Sequence, residues 1–435
     1  MSSQREIYKS IKKNRLVWKF SFYGFLKNLK FFEPYLLLIL LYLGYNLFEA
    51  GLLVMIIEIT TYLLEVPSGI LSDKFGKKKV LQICFILYCI SFVFYFFGFD
   101  PLNTNFLILI GASFFFGLGE AFRSGTHKAM ILTWAKKEGY SEYITFVYGR
   151  TRSFALVGEA LSGILSVIFI LIIQVPPDRT IFLLTIIPYI LDFILISTYP
   201  KYMNEHEKYE KGKLNEFFKG VKQLKVVFSD KKLNRALLSS TLYDAIFKVL
   251  KDYIQPIMKL YFGMVIVMFL INPTTEQIDF YVSITLGLLY TLFYFISSFA
   301  SKNSYRINRK LKNSKRSMDI LFDLFGITLF LTAILIWTNL IIIIIIIYLI
   351  IYVIFNIRRP IVIDYLGSII ESNQQATILS VESLIKSVFT FIFAPLFGFI
   401  ADNATIPILF IGISIFIVVI NRFLSRKIKE IKNSD

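Results

Sequence analysis

The sequence has 435 residues, of which 56% are hydrophobic and only 18% are charged, and its mean hydropathy is +0.65. Soluble domains carry more charge and fewer apolar residues, so this composition excludes a soluble enzyme, a disulfide-stapled secreted domain and a disordered chain. Apolar runs of about 20 residues recur from end to end, and each can cross roughly 30 Å of hydrocarbon. The composition therefore predicts an all-α polytopic membrane protein.

Twelve transmembrane helices are predicted from these runs. The first run is too long for a cleavable signal peptide, contains Lys27 and Lys30, and lacks a small-residue cleavage site. The predicted spans are 16–43, 47–71, 79–98, 105–134, 142–174, 180–199, 234–262, 277–300, 318–338, 340–363, 376–400 and 405–424.

The longest polar stretch, 201–232, separates six spans from six. We therefore predict an N-terminal half at 1–200, a cytoplasmic linker at 201–232 and a C-terminal half at 233–435. Within the linker, apolar residues from Leu214 to Phe228 recur at helical spacing between lysines. This pattern predicts an amphipathic helix on the membrane face, with a solvated linker helix as the alternative.

The basic residues predict the orientation. Of the 47 Lys and Arg residues, 32 lie in the termini and in alternate connections, whereas the opposite connections hold only Arg179. Because basic loops stay in the cytoplasm, we expect both termini and the 201–232 linker to be cytoplasmic, in the cell (plasma) membrane. Anionic lipids beside these loops explain the net charge of +17, and no nucleic-acid partner is expected.

Few residues could hold a metal or a cofactor. The chain has two cysteines, Cys84 and Cys89, and two histidines, His127 and His206, too few for a disulfide framework or a histidine-based metal site. It also lacks the glycine-rich phosphate-binding loop of ATP-driven pumps. We therefore expect no cofactor, no metal and no enzymatic activity.

The connection between the second and third spans carries a motif. It reads Gly69-Ile-Leu-Ser-Asp73-Lys-Phe-Gly76-Lys77-Lys78 and follows Glu65-Val-Pro-Ser. We call the stretch 65–79 the signature loop, because it resembles the G-x-L-x-D-x-x-G-[RK]-[RK] loop of the major facilitator superfamily. The stretches GEAFRSGTHKAMI from Gly119, YGRTRS from Tyr148, KDYIQP from Lys251 and ATILSVESL from Ala376 resemble a bacterial and archaeal branch of that superfamily.

This resemblance implies an architecture and a mechanism. Two pseudo-symmetric six-helix halves would alternate access to a site lined by spans one, four, seven and ten. The signature-loop residues Glu65, Gly69, Asp73, Gly76, Lys77 and Lys78 would form a cytoplasmic gate, with Asp73 stabilising the outward-open state. The sequence departs from the family in lacking a second signature copy at 297–310, and from its drug–proton antiporters in lacking their arginine early in span four.

Charged residues inside the spans are the candidate site residues, because each costs about 2.5–3.5 kcal/mol at a helix centre. Span one has Lys27, Lys30 and Pro34 where span seven has Lys248, Lys251 and Pro256, which indicates an internal repeat with kinked helices. The predicted cavity residues are Lys27, Lys30, Glu33, Glu58, Glu120, Arg123, Asp244, Lys248, Lys251, Asp252, Gln255 and Arg358.

Helical spacing relates some of these residues to one another. Glu120 and Arg123 are three residues apart and can pair on one helix, which is compatible with a structural or a functional role. In span seven, the spacing of Asp244, Lys248, Lys251, Asp252 and Gln255 predicts a single polar stripe. Asp192 in span six falls outside the pattern, and the sequence gives it no role.

The leading hypothesis is a secondary active transporter of a polar, anionic or zwitterionic small solute. Protons are the expected coupling ion because several carboxylates lie in the spans, with sodium as the alternative. A non-transporting receptor or scaffold on the same fold and a membrane-embedded lipid enzyme are the other hypotheses. We expect a monomer. The solute and the direction of transport do not follow from the sequence.

Overall fold

The computed structural model describes residues 2–124, 126–140, 143–174, 176–204, 231–270, 272–304, 306, 313–338, 340–369 and 375–432. Most of the predicted amphipathic linker, 205–230, lies outside the described residues, as does the side chain of Asp73. The described chain is almost entirely helical and has no β-strand, so the predicted all-α class is confirmed. Within it, ten helices are long and apolar enough to cross a membrane, and they correspond to every predicted span except the first and the seventh.

Nine α-helices are found among the described residues of the N-terminal part. Side-chain capping defines the start of the second, where Asn14 Oδ1 accepts hydrogen bonds from the Leu16 and Val17 amides at 2.8 and 3.4 Å. The helices are α1 (Ser2–Lys13), α2 (Arg15–Lys27), α3 (Leu36–Tyr42), α4 (Leu47–Phe75), α5 (Lys77–Gly98), α6 (Phe106–Ser124), α7 (Thr126–Lys137), α8 (Ile144–Ile173) and α9 (Thr180–Ser197).

The C-terminal part contains eight further α-helices among the described residues. Thr274 and Gln277 form a capping box at the start of the span-eight helix. The helices are α10 (Lys231–Leu250), α11 (Ile254–Ile257), α12 (Gly263–Phe269), α13 (Thr275–Lys302), α14 (Ser314–Trp337), α15 (Ile341–Ile369), α16 (Gln375–Ala404) and α17 (Ile406–Lys432).

The first and seventh predicted spans are broken helices. In span one, α2 ends at Lys27 and residues 28–35 form turns before α3 begins. In span seven, α10 gives way to a 3₁₀ turn at Lys251–Tyr253, and a π-helix at Met258–Phe262 follows α11. Pro34 and Pro256 lack the amide hydrogen of an uninterrupted helix, and the chain must therefore satisfy backbone carbonyls by other means.

Tyrosine hydroxyls satisfy carbonyls at both breaks. Tyr189 of α9 donates to the Lys27 carbonyl at 3.1 Å. Tyr348 and Tyr352 of α15 donate to the carbonyls of Leu250 and Lys251 at 3.3 and 3.4 Å. An unsatisfied carbonyl in hydrocarbon costs several kcal/mol, so these hydroxyls allow the two spans to be interrupted within a membrane.

The described chain divides into two compact units. The first unit comprises 1–39, 56–210 and 283–295, and the second comprises 40–55, 211–282 and 296–435. Each unit thus includes a short segment from the other predicted half. The predicted division at 1–200 and 233–435 stays a prediction.

Close backbone contacts at glycines explain these exchanged segments. In the second unit, a Cβ on Gly51 of α4 would lie 2.3 Å from the Ala394 carbonyl oxygen of α16, and one on Gly398 would lie 2.2 Å from the Leu47 oxygen. In the first unit, a Cβ on Gly163 of α8 would lie 2.6 Å from the Gly287 oxygen of α13. Such approaches are characteristic of helix pairs in membranes, where small residues let backbones meet.

Candidate functional site

The first unit contains a buried ionic cluster, which we call the Lys27 cluster (Lys27, Tyr88, Glu120 and Arg123). Lys27 is the last residue of α2, and its side chain is 10% exposed. Its Nζ lies 3.1 Å from Glu120 Oε1, which also accepts a hydrogen bond from the Tyr88 hydroxyl at 2.7 Å. The second oxygen, Oε2, accepts two hydrogen bonds from Arg123, at 2.7 and 3.3 Å. All the acceptor capacity of this carboxylate is directed at neighbours inside the unit.

The predicted Glu120–Arg123 pair is therefore confirmed, since the two residues stand one turn apart on α6. The sequence did not identify Lys27 and Tyr88 as additional partners of Glu120. Those two contacts join residues of α2, α5 and α6 that are 93 and 32 positions apart in the sequence, so no local spacing predicts them.

Lys30 adds a further positive charge beside this cluster. Its Nζ lies 5.7 Å from the centre of the Phe116 ring, in the geometry of a cation–π contact, and it is within electrostatic range of both Lys27 and Glu120. Among the described residues, no carboxylate lies within 4.0 Å of Lys30. Glu33, three residues on, accepts a hydrogen bond from the Tyr294 hydroxyl at 3.3 Å and has further contacts. Lys27, Lys30 and Arg123 thus present three cations around Glu120.

The second unit contains its own cluster around Arg359, which we call the Arg359 cluster (Ser240, Asp244, Arg359 and Glu382). Arg359 Nη1 lies 2.7 Å from Asp244 Oδ2 and 2.9 Å from Glu382 Oε1. Ser240 donates to the same Glu382 oxygen at 2.6 Å. The arginine side chain is 38% exposed, whereas both carboxylates are buried. The two carboxylates share the Arg359 guanidinium, and Arg358 is also within electrostatic range of Asp244.

The predicted cavity residue Arg358 has different surroundings from its neighbour. It is buried, and its guanidinium donates to the Ser239 carbonyl and hydroxyl at 3.0 and 2.9 Å and to the Met318 carbonyl at 3.4 Å. The guanidinium also stacks over the Tyr243 ring at 4.3 Å. These contacts connect α10, α14 and α15, and they direct Arg358 toward packed helices.

The predicted stripe on span seven is divided by the helix break. Asp244 and Gln255 are buried, Lys248 is exposed, and Lys251 and Asp252 are half-buried with their charged groups 3.7 Å apart. The 3₁₀ turn at Lys251–Tyr253 has three residues per turn, so the spacing that aligns residues on an α-helix no longer holds beyond Leu250. Glu58 of α4 is also buried and has contacts of its own.

The signature loop joins α4 to α5 through a tight turn. Gly76 has φ +95°, a backbone conformation that glycine adopts without steric cost, whereas a Cβ on Gly69 would meet open space. Lys77 Nζ donates to Thr133 at 3.3 Å, and Ser124 donates to Glu65 at 3.2 Å. Lys78 Nζ donates to the Ser197 and Tyr199 carbonyls, at 2.7 and 2.9 Å.

The Lys78 contacts give that residue a defined structural role. Helix α9 ends at Ser197, and the last carbonyls of a helix carry partial negative charge that a lysine ammonium neutralises. These hydrogen bonds of Lys77, Lys78 and Glu65 lie within the first unit. In the described part of the chain, no group of three or more His, Cys, Asp or Glu side chains could hold a metal ion.

Comparison with known protein sequences identifies one family and one curated relative. The sequence model of the Major Facilitator Superfamily matches residues 20–383. The chain is 25% identical over 228 residues to the uncharacterized MFS-type transporter YxaM of Bacillus subtilis (strain 168). That match covers 52% of this chain and 54% of YxaM, so the chain spans about half the length of this curated relative.

Solved transporters share the fold at low sequence identity. The structure of the nucleoside transporter NupG superposes with a TM-score of 0.71 at 10% identity, covering 96% of this chain and 100% of NupG. A D-xylose–proton symporter superposes with a TM-score of 0.66 at 13% identity, covering 92% and 96%. A POT family transporter in complex with 5-aminolevulinic acid gives 0.63 at 14% identity, covering 94% and 95%.

Proposed function

The chain belongs to the Major Facilitator Superfamily and is a multi-pass membrane transporter, and we propose that it moves a small anionic or zwitterionic solute by proton-coupled alternating access. The observation that carries the proposal is the charge of the Lys27 cluster and Lys30. Three cations around one carboxylate leave a net positive charge in a partly buried site. Such an excess is costly in a membrane unless an anion compensates it.

The Arg359 cluster supports the zwitterionic case. Its two buried carboxylates, Asp244 and Glu382, can accept charge-assisted hydrogen bonds from an ammonium group. We therefore propose a solute with one carboxylate and one amine in preference to a neutral sugar or nucleoside, which has neither charge. The POT family transporter that shares the fold binds 5-aminolevulinic acid, a solute of that class.

Alternating access requires helix contacts that can close and open. We propose that the Gly51–Ala394 and Gly398–Leu47 contacts close the outer ends of α4 and α16 and separate when the transporter opens outward. The amides of Leu47 and Phe48 also bond to the Asp402 carboxylate at 3.1 and 2.7 Å. We place these contacts outside because the basic connections put the opposite helix ends in the cytoplasm, with both termini.

Proton coupling is proposed because carboxylates, the side chains that can bind and release protons, lie in the clusters of both units. Sodium is the alternative coupling ion. Uptake into proteoliposomes would be measured under an imposed pH gradient, with and without a protonophore, and under a sodium gradient alone. Loss of uptake with the protonophore supports proton coupling, whereas uptake driven by sodium alone contradicts it.

The solute class is tested first by binding. Purified protein would be screened by thermal shift against monocarboxylates, amino acids and organic phosphates, with neutral nucleosides and sugars as the contrasting set. Stabilisation by the charged compounds and not by the neutral ones is expected. Stabilisation by neutral compounds alone would contradict the proposal.

The role of Lys30 is tested by a pair of variants. Lys30→Gln should leave the melting temperature of the free protein at or above that of wild type, because Lys30 has no described ion pair to lose and its removal reduces the positive excess. It should abolish stabilisation by the charged compounds. Lys136→Gln, at an exposed helix end, is the matched control and should behave as wild type. Wild-type binding by Lys30→Gln would remove Lys30 from the site.

A further inference from the structure

Asp192 is a fully buried carboxyl group without a hydrogen-bond partner in the described part of the chain. It lies in the middle of α9 with 0% exposure, and among the described residues neither of its oxygens has a hydrogen-bond donor or acceptor. Buried polar groups in folded proteins are nearly always hydrogen-bonded, so both free oxygens require an explanation.

Other unpartnered polar groups are found nearby. Tyr23 of α2 lies within electrostatic range of Asp192, and its ring stacks on that of His127 with 3.7 Å between centres. The Tyr23 hydroxyl and His127 Nε2 are buried and also have no hydrogen-bond partner among the described residues. The region between α2, α7 and α9 therefore holds unused hydrogen-bonding capacity.

Only one cation is within electrostatic range of Asp192 in the described chain, and it already forms an ion pair with another carboxylate. That cation is Lys27, whose Nζ lies 3.1 Å from Glu120. The helices that pack on α9 are α5 and α2. The titratable groups within electrostatic range of Asp192, on these helices and in the chain around it, are Tyr23, Lys27, Cys84, Tyr189 and Tyr199.

An ionised carboxylate is unfavourable in these surroundings. Moving an isolated carboxylate from water into an apolar interior costs far more than neutralising it, and the group therefore takes up a proton instead. No described donor offsets the charge of Asp192. A neutral carboxyl group is therefore favoured at Asp192 in this conformation, and an ionised one is favoured only where water reaches α9.

We propose that Asp192 is a proton-binding site, which holds its proton while Lys27 is paired with Glu120. When water reaches it, the carboxyl O–H bond breaks and the proton passes to water. The carboxylate left behind then attracts the Lys27 ammonium, which stays protonated and changes partner from Glu120 to Asp192. The link to transport rests on the proposed function, but proton occupancy of Asp192 does not.

Infrared spectroscopy tests the occupancy directly. In detergent at pH 7, wild-type protein should show a protonated carboxyl band that is absent from Asp192→Asn. Asp178→Asn is the matched control, because Asp178 lies outside the spans and is exposed, and its spectrum should keep the band. A wild-type spectrum without a protonated carboxyl band overturns the proposal.

The Lys27→Met variant distinguishes a neutral Asp192 from an Asp192 that is ion-paired with Lys27. If Asp192 is neutral in the wild type, the band is already present and should persist in Lys27→Met. If the band is missing in wild type and appears only in Lys27→Met, Asp192 is ionised and paired with Lys27, and the proposal is wrong. Neither measurement needs a transported solute, so a failure of the proposed transport function leaves this test intact.

The pH dependence of unfolding gives a second measurement. An unfolded aspartate releases its proton above about pH 4, whereas the folded protein keeps it, so folding is disfavoured as the pH rises above that value. The melting temperature of wild type should therefore fall relative to that of Asp192→Asn as the pH rises from about 5 to about 8. A difference that stays constant, or that reverses, contradicts the proposal.

Discussion

The glycine contacts between α4 and α16 allow a sharp test of helix packing. A Cβ at Gly398 would lie 2.2 Å from the Leu47 oxygen, 2.5 Å from the Leu47 carbonyl carbon and 2.7 Å from Phe48 Cα. Ordinary van der Waals contacts begin at 3.4 Å, and all three neighbours are backbone atoms that no rotamer change can displace. Gly398→Ala should therefore push the helices apart locally by about 1 Å.

The expected cost follows from two opposing terms. Overpacking of this kind costs about 1–3 kcal/mol, whereas replacing a helical glycine by alanine gains about 0.5–1 kcal/mol in backbone entropy. A net loss of about 1–2 kcal/mol is therefore expected for Gly398→Ala. Gly51→Ala should behave similarly, because its Cβ would lie 2.3 Å from the Ala394 oxygen.

Thermal unfolding in detergent measures this effect, with Gly412→Ala as the matched control. Gly412 is also helical, but a Cβ there would meet no atom within 4 Å, so only the favourable entropy term remains. Gly398→Ala should melt below wild type and Gly412→Ala at or above it. If Gly398→Ala melts as high as Gly412→Ala, α4 and α16 do not meet at backbone distance.

Two further predictions concern residues outside the membrane spans. The Leu102 amide and the Arg179 guanidinium hold the pKa of the Asp100 carboxyl below its usual range, so its contribution to stability is present above about pH 4 and is lost as the pH falls below that value. The melting temperature of wild type should therefore fall more steeply below pH 4 than that of Asp100→Asn, as measured by a pH series of unfolding curves. A cysteine introduced at Lys211 should resist a membrane-impermeant thiol reagent in intact cells, and labelling from outside would reverse the predicted orientation.

Much of the fold could be predicted because hydropathy is a local property of the sequence. The ten spans that satisfy length and apolarity were predicted from their own residues, as was the Glu120–Arg123 pair from its spacing on one helix. The sequence also indicated kinks near Pro34 and Pro256. It did not place the breaks at Lys27 and Lys251, because the hydroxyls that accommodate them come from distant helices.

The candidate site was harder to predict because its contacts are long-range. Arg358 and Arg359 are adjacent, yet one is directed at packed helices and the other bridges two carboxylates. Neighbouring residues on a helix point about 100° apart, and only the position of α15 decides which arginine meets Asp244. Arg358 was predicted to line the cavity, whereas Arg359 was not.

The break in span one also explains how a lysine can be placed in a membrane helix. Lys27 closes α2, and the end of a helix carries partial negative charge that stabilises a cation by about 0.3–1 kcal/mol. That is less than the roughly 2.5–3.5 kcal/mol that the charge costs at a helix centre, so the remainder must come from Glu120. A change that draws Lys27 away from Glu120 must therefore supply another carboxylate. Among the described residues, Asp192 is the carboxylate without a hydrogen bond that lies within electrostatic range.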